Sequence, residues 1–150
     1  MCNNNYLINI VSKCRIMANP SAIILSNDEK TVSVCSKTTL ELGVDLVCKK
    51  DFPCLLLELQ ENDYKVILCD CSDDFHKCSN WIKVIKKIRP KLPLIVLTKE
   101  IDKSTGGKLY QEGIFDLCEK PLNKEYLKEV LSAILTPSKS YDKINNFNKL

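Results

Sequence analysis

The chain has 150 residues, 45% hydrophobic and 27% charged, the makeup of one globular domain. No apolar run reaches the roughly 18 residues of a membrane span. The apolar patch Tyr6 to Val11 precedes Lys13 and Arg15 rather than following them, so no secretory signal is read and a cytoplasmic place is expected. A net charge of +3 and a pI of about 8.3 fall short of a strongly basic domain and argue against nucleic acid as a direct partner.

In chain order, Ala22 to Leu25 is a short apolar run after Pro20 and predicts a strand. Thr31 to Leu42 mixes Val32, Val34, Cys35 and Leu40 with polar residues and stops at Gly43, which predicts a helix. Val44 to Cys48 is a second strand. Pro53 opens a helix carrying Leu55, Leu56, Leu57 and Leu59, and Lys65 to Asp70 is the third strand. Trp81, Val84, Ile85 and Ile88 recur at helical spacing before Pro90. Leu92 to Thr98 is the fourth strand. Asp102 to Glu112 is a weak helix, since Gly106 and Gly107 each cost about 1 kcal/mol against Ala. Ile114 to Cys118 is the fifth strand. Asn123 caps a last helix with the apolar face Leu127, Val130, Leu131 and Ile134.

Five strand–helix units without hairpin signals predict an α/β fold, a doubly wound five-stranded parallel sheet covered on both faces. One domain spans 20–136, between an extension, 1–19, and a tail, 137–150. Met17 stands where a chain could begin, just before the first strand. In the tail, Tyr141, Ile144, Phe147 and Leu150 recur every three or four residues, but a frayed end is the expected state.

Nine cysteines in odd number and irregular spacing, without a CxxC pair, predict reduced thiols used as small apolar core residues. A disulfide framework is disfavoured. Cys69, Cys71, His76 and Cys78 cluster in sequence, but their spacings fit zinc patterns poorly. The basic run Lys83, Lys86, Lys87, Arg89 and Lys91 predicts a solvated helix face.

Asp28, Asp70, Thr98 and Lys120 all fall at or just past the carboxyl ends of predicted strands, where such sheets bind ligands. Clustered carboxylates repel unless a cation neutralises them. Hard oxygen donors suit Mg²⁺, and a carboxylate can accept a phosphoryl group. A hydroxyl and an ammonium at the same edge can meet its oxygens.

The segments IILSNDE (23–29), VILCD (66–70), LIVLT (94–98) and EKP (119–121) together resemble the receiver domain of two-component response regulators. The resemblance covers roughly 20–136 and implies the CheY-like, flavodoxin-like strand order 2-1-3-4-5. It implies a stand-alone receiver whose Asp70 takes phosphoryl from a histidine kinase or phosphotransfer protein and which signals by contact with a downstream protein target. It implies Mg²⁺ held by Asp28, Asp70, the backbone carbonyl of Ser72 and, weakly, Asn27. Thr98 would sense the phosphoryl group and Lys120 would stabilise it. Such a protein is not an enzyme beyond assisting its own phosphorylation and dephosphorylation. No membrane partner is implied, and a homodimer stays open.

Four positions depart from the family pattern. Asn27 is neutral where an acid is usual. Asp74 stands in place of a proline, Lys99 in place of a small residue, and Leu117 in place of an aromatic switch residue. Asn27, Lys99 and Leu117 motivate one alternative, a degenerate receiver that binds proteins without phosphorylation. A flavodoxin-like redox protein is a weaker rival, because the first loop, Ser26 to Glu29, is acidic and glycine-free where a phosphate cradle is needed.

Overall fold

The computed structural model describes residues 21–135. Its elements run β1 (Ser21–Leu25), α1 (Glu29–Glu41), β2 (Asp45–Lys49), α2 (Phe52–Glu61) and β3 (Val66–Asp70). They continue as α3 (Phe75–Ile88), β4 (Leu94–Thr98), α4 (Lys103–Gln111), β5 (Asp116–Glu119) and α5 (Lys124–Leu135). All five strands are parallel in one sheet of order β2-β1-β3-β4-β5, as expected.

Strand alternation builds two cores. Ile23 and Leu25, Ile67 and Cys69, and Leu94 and Val96 face one side of the sheet. There they meet Leu55 and Leu59 of α2, Cys78, Ile82 and Ile85 of α3, and Leu109 of α4. The intervening residues, Ala22 and Ile24, Val66 and Leu68, and Ile95 and Leu97, face the other side. Cys35 of α1 and Leu127, Val130 and Leu131 of α5 cover them. The central strands are therefore buried on both faces, which is why they read as unbroken apolar runs.

The helices start at side-chain caps. Asp28, Asp51, Asp74 and Asp102 each accept backbone N–H bonds in the first turn of α1, α2, α3 and α4. Asn123 does the same for α5, accepting from the N–H of Tyr126. Asp74 explains one departure from the family pattern, since it receives the N–H groups of His76 and Lys77. It also sets α3 going at Phe75, six residues before the predicted stripe begins.

Several expectations are corrected. The buried stripe of α3 is Cys78, Ile82 and Ile85, while Val84 is exposed and Trp81 lies at the flank, stacked on Phe52. On α1 the inward face is Thr31, Cys35, Thr38 and Thr39, and Leu40 is left in solvent. Threonines are tolerated there because Thr38 Oγ1 donates to the Val34 carbonyl and Thr39 Oγ1 to that of Ser36. Leu57 of α2 also points outward. The thiols are not uniformly core residues: Cys48 and Cys54 are exposed, while Cys35, Cys69 and Cys118 are buried, as are Cys71 and Cys78, whose Cα atoms stand 5.4 Å apart with their sulfurs facing one another. The basic run is partly engaged. Lys86 Nζ donates to the Leu92 carbonyl, Arg89 to the carbonyls of Ile88 and Leu59, and Lys83 pairs with Glu112.

No helix among the described residues is long and apolar enough to cross a membrane. The extension, the tail with its periodic apolar residues, and Cys2 and Cys14 lie outside the described residues.

Candidate functional site

Parallel register decides what meets at the carboxyl edge. Leu25 of β1 pairs with Cys69 of β3, so the next residues, Ser26 and Asp70, come side by side. Ser26 Oγ donates to Asp70 Oδ2 at 2.7 Å. Asp28 follows two residues on, its N–H donating to the same Ser26 hydroxyl at 3.1 Å. On the other flank, Thr98 of β4 pairs with Glu119 of β5, and the Lys120 N–H donates to the Thr98 carbonyl at 2.7 Å. That bond launches the Lys120 side chain over the ends of β3 and β1. The Lys120–Pro121 peptide is cis.

Lys120 Nζ donates to Asp70 Oδ2 at 2.8 Å and to Asp28 Oδ2 at 3.1 Å. One ammonium thus joins residues 50 and 92 positions away in sequence. Burial is graded across the group: the side chains of Asp70, Lys120 and Asp28 are 7%, 15% and 44% exposed. Asp70 sits at the base and Asp28 at the mouth. Thr31 Oγ1 donates to Asp28 Oδ2 at 2.7 Å. The Ser72 N–H and hydroxyl both donate to Asp70 Oδ1, at 3.1 and 2.6 Å.

These contacts fix the charges. Hydrogen bonds from Thr31 and then Lys120 hold the Asp28 carboxyl down to about 2. Burial opposes ionisation of Asp70, but donors from Lys120, Ser72 and Ser26 outweigh it and hold that carboxyl below its ordinary range. Burial likewise disfavours charged Lys120, and the two carboxylates overcome it and raise the ammonium's pKa. Two ionised acids and one cation leave the cluster with one negative charge at neutral pH, an attraction for a divalent cation.

Asp28, Asp70 and Lys120 come together at the edge. Ser72 lies beside Asp70, but through its N–H and hydroxyl. Thr98 is buried at the edge, yet no hydrogen bond links its hydroxyl to Asp70. Register is the reason: Asp70 pairs with Leu97, so Thr98 stands one step further along, level with Cys71, whose N–H donates to the Leu97 carbonyl. Asn27 and Lys99 are exposed, and Leu117 packs into the core beneath α4. Ser26 and Thr31 were not anticipated. Thr31 had a signal, three residues after a helix-capping acid, where a side chain returns to the cap. Ser26 had none, because its role depends on the β1–β3 register.

Beside the acids, a cavity of about 410 Å³ runs between α1 and β2, lined by Ser26, Asn27, Ser36, Lys37 and Cys48 among others, but Asp70 and Lys120 do not border it.

No protein-family profile matches the chain, and no curated protein matches its sequence. Solved structures do match. A response regulator from Thermotoga maritima superposes with a TM-score of 0.73 at 19% identity, covering 79% of this chain and 98% of that one. The receiver domain of Francisella response regulator 1452 gives 0.71 at 21% identity, covering 81% and 100%. The chemotaxis response regulator CheY4 of Vibrio cholerae gives 0.68 at 18% identity, covering 78% and 99%. The chain therefore has the fold of response-regulator receiver domains, with two acids and a lysine joined at the carboxyl edge of its sheet.

Proposed function

We propose that this protein is a receiver that accepts a phosphoryl group on Asp70 and signals through protein contact. The observation that carries the reading is the Lys120 ammonium bonded to both Asp70 and Asp28 at the sheet edge. In this reading residues 20–136 are the receiver, and 1–19 and 137–150 flank it. Its partners are a histidine kinase or phosphotransfer protein upstream and a protein target downstream.

The donor set fits Mg²⁺. Asp28 and Asp70 are ionised oxygen donors that converge on one ammonium, and hard carboxylate sites that leave room for water suit this ion. Asp28, Asp70, the Ser72 carbonyl and, weakly, Asn27 would hold it. When bound, it supplies positive charge against the phosphoryl oxygens and the two acids.

The chain's own residues do the rest. An Asp70 oxygen attacks phosphorus. The bond from phosphorus to the donor's imidazole nitrogen breaks, and that nitrogen leaves with the electron pair. Lys120, already beside Oδ2, stays as a point charge against the transferred oxygens. Thr98 stands one step beyond Asp70 along the strands, and in this reading its hydroxyl would meet a transferred oxygen.

The degenerate-receiver reading keeps one specific support. A carboxylate offers about four acceptor positions, and Ser72, through two groups, with Ser26 and Lys120, fills four on Asp70. The nucleophile must shed a donor before it attacks. The test is intact mass after incubation with Mg²⁺ and acetyl phosphate. A gain of one phosphoryl group, absent in Asp70→Asn and with EDTA, supports the proposal. An unchanged mass at saturating donor and metal refutes it and favours the degenerate reading.

A further inference from the structure

A cluster of thiols lies on the far side of the same strand end. Cys69 and Cys71 share one face of β3 and its extension, by strand alternation. Cys78 stands in the first turns of α3, four residues after the Asp74 cap, at the head of the buried stripe Cys78, Ile82 and Ile85. The three sulfurs lie within 4.8 Å of one another, and all three residues are buried. The Cα atoms of Cys71 and Cys78 are 5.4 Å apart, inside the range that a disulfide spans without moving the backbone. Cys69 Sγ stands 3.9 Å from Cys78 Sγ as a third thiol. His76, which the sequence placed near this cluster, is exposed and does not join it.

We propose that Cys71 and Cys78 form a reversible dithiol–disulfide switch that governs phosphoryl acceptance at Asp70, a regulation that rests on the receiver reading above. Cys71 is covalently next to both Asp70 and Ser72. Ser72 grips Asp70 Oδ1 with its N–H and hydroxyl. A Cys71–Cys78 bond ties this segment to α3 and holds the Ser72 grip in place. Opening the bond frees 71–74 to turn, so that Asp70 can release a donor and attack. The bridge closes a loop with a separation of only seven residues, and chain-entropy stabilisation grows with loop length. Its state therefore follows the surrounding thiol–disulfide poise.

The chemistry needs a small disulfide such as oxidised glutathione. The Cys71 sulfur attacks one of its sulfurs and expels one thiolate. Cys78 then displaces the second. Two protein thiols lose two hydrogens, and the small disulfide becomes two thiols. Excess small thiol runs the sequence backwards. Cys71 is the more exposed of the two residues, at 4% against 0% for Cys78.

The test uses the full chain, reduced with dithiothreitol or oxidised with oxidised glutathione, then alkylated and mapped by peptide mass. The oxidised form should lose two hydrogens in the peptides that hold Cys71 and Cys78. Cys69→Ser should keep that bridge and Cys78→Ala should lose it. Bridging through Cys48 or Cys54, full alkylation after oxidation, or three thiols shielded until a chelator is added would each overturn the switch. This readout is independent of phosphorylation. The two forms are then compared with acetyl phosphate and Mg²⁺. The reduced form should label about tenfold faster, the effect of one charged hydrogen bond released. Cys78→Ala should label at the reduced rate under both conditions. Equal rates in bridged and open protein would overturn the gating. If neither form labels while the bridge maps as expected, the receiver reading fails and the gating fails with it.

Discussion

Replacing Lys120 by Met keeps the aliphatic stem but removes the cation that two acids share. Breaking a fully buried ion pair by deleting one partner costs about 3–5 kcal/mol. Here the cost is discounted, because the Asp28 side chain is 44% exposed and Asp70 keeps its bonds from Ser26 and Ser72. About 2 kcal/mol remains at pH 7, mostly from Asp70 left buried without its countercharge. With an m-value of roughly 1–2 kcal/mol/M, the urea midpoint should fall by about 1–2 M, read from the fluorescence of the single tryptophan, Trp81. The pH dependence sharpens the test. In the parent, the folded Asp70 carboxyl lies below its ordinary value, so it contributes stability above roughly pH 4 that is lost as pH falls. Without Lys120, burial dominates and lifts that carboxyl above its ordinary value. The folded variant then binds the proton more tightly than the unfolded chain, and its stability falls as pH rises through the carboxylate range. The gap between parent and variant should be full at pH 7 and should narrow as pH falls below about 4, closing only as Asp28, held down to about 2, also takes its proton. Adding Asp70→Asn to the variant should restore much of the loss. A variant as stable as the parent at pH 7, or a gap that does not change with pH, would refute the reasoning.

Ser26→Ala removes a donor from Asp70 and the acceptor of the Asp28 N–H, and should cost about 1–2 kcal/mol in urea unfolding at pH 7. Asp74→Ala removes the cap of α3 and should cost about 1 kcal/mol by the same assay, whereas an acid at that position with a direct role in phosphoryl transfer would show its loss in labelling by acetyl phosphate. Ile67→Ala opens a cavity at a fully buried position in the central strand and should lower stability by about 3 kcal/mol, read as a thermal midpoint lower by roughly 10–20 °C in calorimetry.

Much of this architecture was legible because local physics repeats along the chain. β3 and β4 read as strands because both faces of the sheet are covered. Asn123 marks a helix start because its side chain satisfies a first-turn N–H group nearby. The α3 face departs from its expected stripe because cysteine passes for neutral in a pattern, yet Cys78 is buried where its sulfur packs; on α1, threonine is buried where its hydroxyl bonds the preceding turn.

The sequence by itself determined the order of strands and helices and set Asp28, Asp70 and Lys120 at strand ends, since periodicity and chain breaks are written residue by residue. Only the tertiary structure decided that Ser26 and Thr31 would serve the acids, that the Thr98 hydroxyl would stand one step past Asp70, and that Cys71 would meet Cys78. Those outcomes turn on parallel register and on which helix face lands over which strand. A shift of one residue reverses the face that a side chain takes, and the cost of that choice is settled by the whole packed sheet.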